Sequence, residues 1–229
     1  MSRPFQFESG EYYHVYNRGF EKSAIFRDLP DRTRFLKLLF LCNGKKPVLL
    51  RPMRRSLTFG NPDFEKLRVE SVVDIGAYCL MGNHFHLLLR QTRRGTISEF
   101  LHKLATAYTM YFNTKYERTG SLFQGTFKAR HLDSDEYLKY VFSYIHLNPV
   151  EHIEPAWKEK GIVNRKNVDA YLSSYNYFSL PDYLGEKRPE TIIVNKDTLP
   201  RYFRTRKDLI AEMNDWLSFR QYTVGYTEA

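Results

Sequence analysis

The stretch Met81-Gly82-Asn83-His84-Phe85-His86-Leu87-Leu88-Leu89-Arg90 restricts the fold more than any other part of the chain. After the Gly-Asn turn the residues alternate, which is the period of a β-strand. Successive strand side chains point to opposite faces. His84, His86, Leu88 and Arg90 therefore share one face, and Phe85, Leu87 and Leu89 share the other. Residues 69–80, rich in Val, Ile and Tyr, read as a strand as well. Only Met81, Gly82 and Asn83 separate the two runs, which is too short for a crossover, so they must pair antiparallel.

The remaining elements follow in order. Residues 12–17 alternate Tyr13 and Val15 against His14 and Tyr16, a first strand that Arg18-Gly19 ends. Asp28 and Pro30 announce a helix with Phe35, Leu36, Leu38, Leu39 and Phe40 on its apolar face, stopped by Asn43-Gly44. Residues 45–66 carry Pro47, Pro52 and Pro62 among Lys45, Lys46, Arg51, Arg54 and Arg55, and read as a loop insertion. Thr96-Ile97-Ser98-Glu99 has the form of a capping box. The helix after it, to about residue 113, buries Phe100, Leu101, Leu104 and Tyr108. The Gly-broken, aromatic and basic residues 120–130 predict a loop with a short strand. Asp133 is the expected cap of a further helix, with Leu138, Val141, Phe142 and Ile145 as its core stripe. Tyr137, Tyr140, Tyr144 and Asn148 form a second stripe. Pro149 disfavours helix at the residue before it, which places Asn148 at a frayed end. Beyond residue 155 lie Trp157, an aromatic patch over 171–183 and an amphipathic helix from Arg206 to Phe219, with no motif that reads chemically.

The chain carries a formal net charge of +9, with 17 Tyr and 17 Phe among 229 residues. Basic side chains meet phosphates and aromatic rings stack on unpaired bases, so nucleic acid is the expected partner. Cys42 and Cys79 lack metal-type spacing and read as small buried hydrophobes of a reducing compartment. No signal-peptide run opens the chain, and no apolar stretch approaches the ~20 residues that span a bilayer. The expectation is a soluble, cytoplasmic protein with no membrane contact.

Two imidazoles about 7 Å apart on one strand face can grip one divalent ion, although His-x-His taken alone is more often the wet face of a half-buried strand. Asn148 can add a neutral oxygen. Two nitrogens and one oxygen leave open positions for phosphate and water, which suits Mg or Mn better than a closed structural zinc site. Tyr144 lies one helical turn before Asn148, so both point the same way. A phenol is a poor nucleophile unless a nearby cation favours the phenolate. Attack on phosphorus would then leave a phosphotyrosine and a free 3′ hydroxyl. Taken singly, Tyr144 reads first as a packing aromatic and Asn148 first as a helix terminator.

Four motifs occur in one order: Tyr13-His14-Val15-Tyr16-Asn17-Arg18-Gly19, the 81–87 turn and strand, the 120–128 loop, and Tyr144-Ile145-His146-Leu147-Asn148-Pro149-Val150. Together they resemble the REP-associated tyrosine transposases, which are HUH endonucleases with a single catalytic tyrosine. The resemblance covers roughly residues 10–155. It implies an α+β, ferredoxin-like (RRM-like) palm, an antiparallel sheet backed by helices, over residues 1–155. Residues 156–229 are left as a partly helical C-terminal extension.

It further implies Mg or Mn held by His84, His86 and Asn148. Tyr144 is implied as the nucleophile, with Tyr140 as second choice. The activity implied is cleavage and strand transfer of single-stranded DNA beside a hairpin. Arg18, Arg90, Arg93, Arg94, Lys128 and Arg130 are the candidate backbone contacts. Many members have Pro where Gly82 stands, which predicts a looser turn here. A non-catalytic nucleic-acid-binding protein of the same fold and a water-using phosphodiesterase are the alternatives. Monomer and homodimer both remain open, as do the recognised hairpin and a mobile versus a host role.

Overall fold

Four antiparallel strands, β1 (Tyr12–Arg18), β2 (Val73–Leu80), β3 (His84–Gln91) and β4 (Lys128–Leu132), form one sheet in the order β2-β3-β1-β4. They belong to a computed structural model that describes residues 6–46, 58–200, 202 and 205–218. Helix α1 (Leu29–Cys42) joins β1 to β2, and α2 (Thr96–Lys115) joins β3 to β4. That βαββαβ order with this sheet order is the ferredoxin-like arrangement, as the motifs imply.

Both connecting helices lie on one face. Phe35, Leu38 and Leu39 of α1 and Phe100, Leu104 and Tyr108 of α2 pack there with Val15, Ile75, Phe85, Leu87 and Leu89. The opposite face is covered by α3 (Asp135–Leu147), whose Leu138, Val141, Phe142 and Ile145 meet Ala77, Cys79 and Leu88. The central strand β3 is thus covered on both sides, and the wet-face reading of His-x-His does not hold: His86 is 0% exposed.

Several local expectations are corrected. β2 starts at Val73 rather than residue 69. The capping box is not formed. Gly95, at φ 82, turns the chain into α2 without a side-chain cap. Thr96 Oγ1 instead bonds back to Arg93 O at 2.8 Å, and Glu99 is drawn one turn forward to Lys103 at 2.6 Å. Ser134, not Asp133, caps α3, its side chain accepting from the Tyr137 amide at 3.2 Å. Asn148 is not frayed but helical, at φ −51 and ψ −39. Pro149 sits at the first turn of a new 3-10 segment, Asn148–His152, where a missing N–H costs little.

The turn between β2 and β3 is tied down rather than loose. Ile25 and Phe26 amides both donate to Gly82 O, at 3.1 and 3.0 Å, and the Gly19 amide donates to Asn83 O at 2.8 Å. A Cβ on Gly19 would lie 2.1 Å from Ser23 O, whereas one on Gly82 would meet nothing within 4 Å. Gly19→Ala is therefore expected to destabilise by about 1–3 kcal/mol, the usual cost of overpacking. Gly82→Ala should stabilise by about 0.4–1 kcal/mol through the unfolded chain. Urea unfolding of the two variants checks the opposite signs.

The region after residue 155 packs onto this domain. Helices α4 (Arg165–Ser174) and α5 (Arg206–Ser218) contribute Val168, Leu172, Leu209 and Met213 to the core under α3. Between them the chain runs along the β2 edge, which would otherwise expose unpaired backbone groups. Leu80 N donates to Tyr177 O at 2.9 Å, Ser179 N to Tyr78 O at 3.0 Å, and Asn195 N to Ile75 O at 2.9 Å. Arg188 pins this strap by a two-point ion pair to the fully buried Asp182, at 2.9 and 2.6 Å, and by a bond to Tyr78 OH at 2.8 Å.

Of the basic stretch 45–66, Arg51, Arg54 and Arg55 fall outside the described residues. Its described end packs firmly, with Phe64 buried against Phe40 at 5.2 Å between ring centres. Among the described residues no helix is long and apolar enough to cross a membrane.

Candidate active site

His84 opens β3 opposite Arg18 of β1, and His86 lies opposite Tyr16. Their face is the one α3 crosses. Tyr137 and Tyr140 line a small recess with His14 and Arg130. One turn on, the Tyr144 ring meets His86 edge-on at 5.6 Å and His14 at 5.9 Å. One more turn, about 5.4 Å, carries the helix to Asn148. Tyr140 and Tyr144 stack at 6.0 Å, so the tyrosine stripe is a ladder with Tyr144 as its rung at the imidazoles.

The imidazoles are oriented by neighbours. His84 Nδ1 lies 2.6 Å from Asn83 Oδ1, so it donates there and its Nε2 keeps a lone pair. His86 Nδ1 lies 3.0 Å from His14 Nε2. With His86 donating, His14 would be the outer partner that fixes its tautomer, and Nε2 of His86 would be the nitrogen that could meet a cation. Burial, aided by the Arg130 charge, lowers His14 to about 3. Burial, aided by Lys158, lowers His84 to about 4 although Glu151 pulls the other way. Burial and the neighbouring imidazoles hold His86 well below its ordinary value. All three are neutral at pH 7, the state in which an imidazole can bind a metal.

Asn148 is 0% exposed, and its Nδ2 donates to Tyr144 O at 2.9 Å. Its Oδ1 is buried without a hydrogen-bond partner. A buried amide oxygen left unsatisfied costs about 1–3 kcal/mol, a cost that a bound cation would remove. Among the described residues no three His, Cys, Asp or Glu side chains gather as a metal cluster. Two imidazoles and one orphaned amide oxygen are the donor types that suit an open-coordinated divalent ion.

A cleft opens beside His84. Arg18, Lys22, Lys128 and Lys158 line it, with Glu151 as the one acid. Two of the expected backbone contacts, Arg18 and Lys128, are therefore at the site. Arg130 faces the adjoining recess. The other three lie toward the far end of β3. Arg90 bonds Gly10 O at 3.1 Å, Arg93 approaches Glu70 at 3.9 Å, and Arg94 bonds Gln6 at 3.1 Å. Four groups at the site were not singled out from sequence: His14, Lys22, Glu151 and Lys158. Only His14 had a visible sign, its place on the same strand face as Tyr16.

The neutral imidazoles set an acid limit. In the unfolded chain histidine titrates near 6.5, so below that pH the unfolded state binds protons that the native state refuses. Stability is full above about pH 6.5 and falls toward pH 4, by up to about 1.4 kcal/mol per pH unit for each such histidine. Denaturant midpoints measured in EDTA should be flat from pH 7 to 8 and drop below 6.5. An unchanged midpoint at pH 5 would mean that these rings are not buried neutral.

Residues 38–148 match the family model described as "Transposase IS200 like". A solved structure of a REP-associated tyrosine transposase bound to a REP hairpin is similar at 13% identity, covering 87% of this chain and 93% of that one, with a TM-score of 0.49. The tRNA(His) guanylyltransferase of Saccharomyces cerevisiae is similar at 11% identity, covering 90% of each chain, with a TM-score of 0.37. No curated protein sequence matches the chain.

Proposed function

From the match of residues 38–148 to the model described as "Transposase IS200 like", we propose that this chain is a tyrosine-dependent DNA nickase and strand transferase. Its substrate is a single strand beside a hairpin, the substrate that the motif resemblance implies. The observation that carries this reading is the Tyr144 ring set 5.6 Å from the ring of His86, with its hydroxyl 3.2 Å from Lys158, a residue that lines the basic cleft beside His84.

His84, His86 and Asn148 would hold Mg or Mn. When bound, such an ion polarises the phosphate oxygens and offsets their charge. Arg18 and Lys128 grip the backbone from the strand side of the cleft, and Arg130 from the recess. The Tyr144 hydroxyl gives its proton to water and its oxygen bonds to phosphorus. The P–O3′ bond breaks, and the departing oxygen takes a proton from water to become a 3′ hydroxyl. The 5′ side remains as a phosphotyrosine. A 3′ hydroxyl attacking that ester reverses the step and rejoins strands without an external energy source.

The test is a labelled hairpin-flanked single strand incubated with the chain and Mg or Mn. A protein–DNA species that survives denaturation, and is absent in EDTA, is the expected result. Binding without cleavage would make the chain a nucleic-acid-binding module. Cleavage that leaves free 5′ phosphates and no adduct would make water the nucleophile.

A further inference from the structure

Lys158 lies outside both the family-matched span and the four sequence motifs, yet it reaches the reacting group. It sits in the helical turn Trp157–Lys160, which the buried Trp157 anchors. Its Nζ donates to the Tyr144 hydroxyl at 3.2 Å and to Glu151 Oε2 at 3.0 Å, and stands 5.0 Å from the centre of the Tyr144 ring. Glu151 comes from the 3-10 segment that follows Asn148. Lys158, Glu151 and His84 line the same cleft.

We propose that Lys158 is a further catalytic residue: it holds the Tyr144 hydroxyl on the cleft side and presents a fixed positive charge to the phosphate attacked there, while Glu151 positions it. This rests on the tyrosine-transfer reading above.

A lysine side chain is long and mobile, and ordering it has an entropy cost. Stability gives little reason for that ordering here. The Lys158 and Glu151 side chains are 32% and 42% exposed, a setting in which ion pairs contribute little. The arrangement matters where charge develops. As the Tyr144 oxygen bonds to phosphorus, the ammonium lies beside the oxygen that attacks and the phosphoryl oxygens that gain charge. In the reverse step a 3′ hydroxyl attacks, the P–O bond to Tyr144 breaks, and the same ammonium holds the departing phenolic oxygen until water returns its proton. Preorganised charge of this kind acts on the transition state more than on binding.

The experiment compares Lys158→Ala, Lys158→Arg and Glu151→Gln with the unaltered chain. Three quantities are measured: the rate of adduct formation at saturating DNA, Kd by anisotropy with the same strand, and the thermal midpoint. Lys158→Ala should slow adduct formation on the order of 10²-fold, with little change in Kd or midpoint. Lys158→Arg should recover part of the rate, and Glu151→Gln should fall between. An unchanged rate at saturation in Lys158→Ala overturns the role. A loss seen only in Kd overturns it too, and leaves Lys158 as an ordinary phosphate contact. If the unaltered chain forms no adduct, the tyrosine-transfer reading itself has failed and Lys158 falls with it, so the unaltered chain separates the two failures.

Discussion

Tyr144→Phe is expected to abolish the covalent protein–DNA species, by more than about 10³-fold, because it removes the nucleophile itself. The change is nearly isosteric and keeps the ring against His86 and His14, at 5.6 and 5.9 Å between centres. It deletes the hydroxyl that Lys158 contacts at 3.2 Å. That partner is partly exposed, so a stability loss of no more than about 1 kcal/mol is expected. DNA affinity should persist through Arg18 and Lys128. Adduct formation surviving in Tyr144→Phe would move the chemistry to another residue, and Tyr140, stacked on Tyr144 at 6.0 Å, is the first to examine.

The second large effect concerns the strap on the β2 edge. Arg188→Ala should cost about 3–5 kcal/mol, because it leaves Asp182 as a buried charge without its guanidinium. Asp182 is 0% exposed, and Thr191 Oγ1 and Lys196 Nζ also converge on it at 2.7 and 2.6 Å. Those neutral and backbone-directed contacts do not replace the lost cation, since Lys196 bonds the Asp182 carbonyl rather than its carboxylate. The loss is a large share of a typical stability of about 5–15 kcal/mol. The double variant Asp182→Ala with Arg188→Ala should be less damaging than the two single losses summed. A loss under about 1 kcal/mol for Arg188→Ala in denaturant melts would show that the strap is held by its apolar contacts alone.

Period and turn chemistry made most of the palm readable. The alternation around His84 and the three-residue turn at Gly82 led to the paired β2 and β3, and the stripe on α3 led to its core face. What failed was local. Thr96 and Glu99 have the right spacing for a capping box, but each found a better partner, Arg93 O and Lys103. Asn148 looked like a terminator because Pro149 follows it. The segment is helical all the same, because the new 3-10 turn starts where proline is tolerated.

The strap over residues 175–199 was not visible, since edge pairing through backbone groups leaves no side-chain period. The same reason hid Lys158 and Glu151. A salt-bridged lysine on a short turn looks like any surface charge until the fold brings it to Tyr144. His14 is the intermediate case. Its strand face could be read, but its bond to His86 depends on the register of β1 against β3.

The most direct measurement is tandem mass spectrometry of the protease-digested adduct formed with a hairpin-flanked strand and Mg or Mn. A phosphonucleotide carried on Tyr144 is the predicted result. A nucleotide on Tyr140 or elsewhere, or a cleaved strand with a free 5′ phosphate and no modified peptide, would contradict the account.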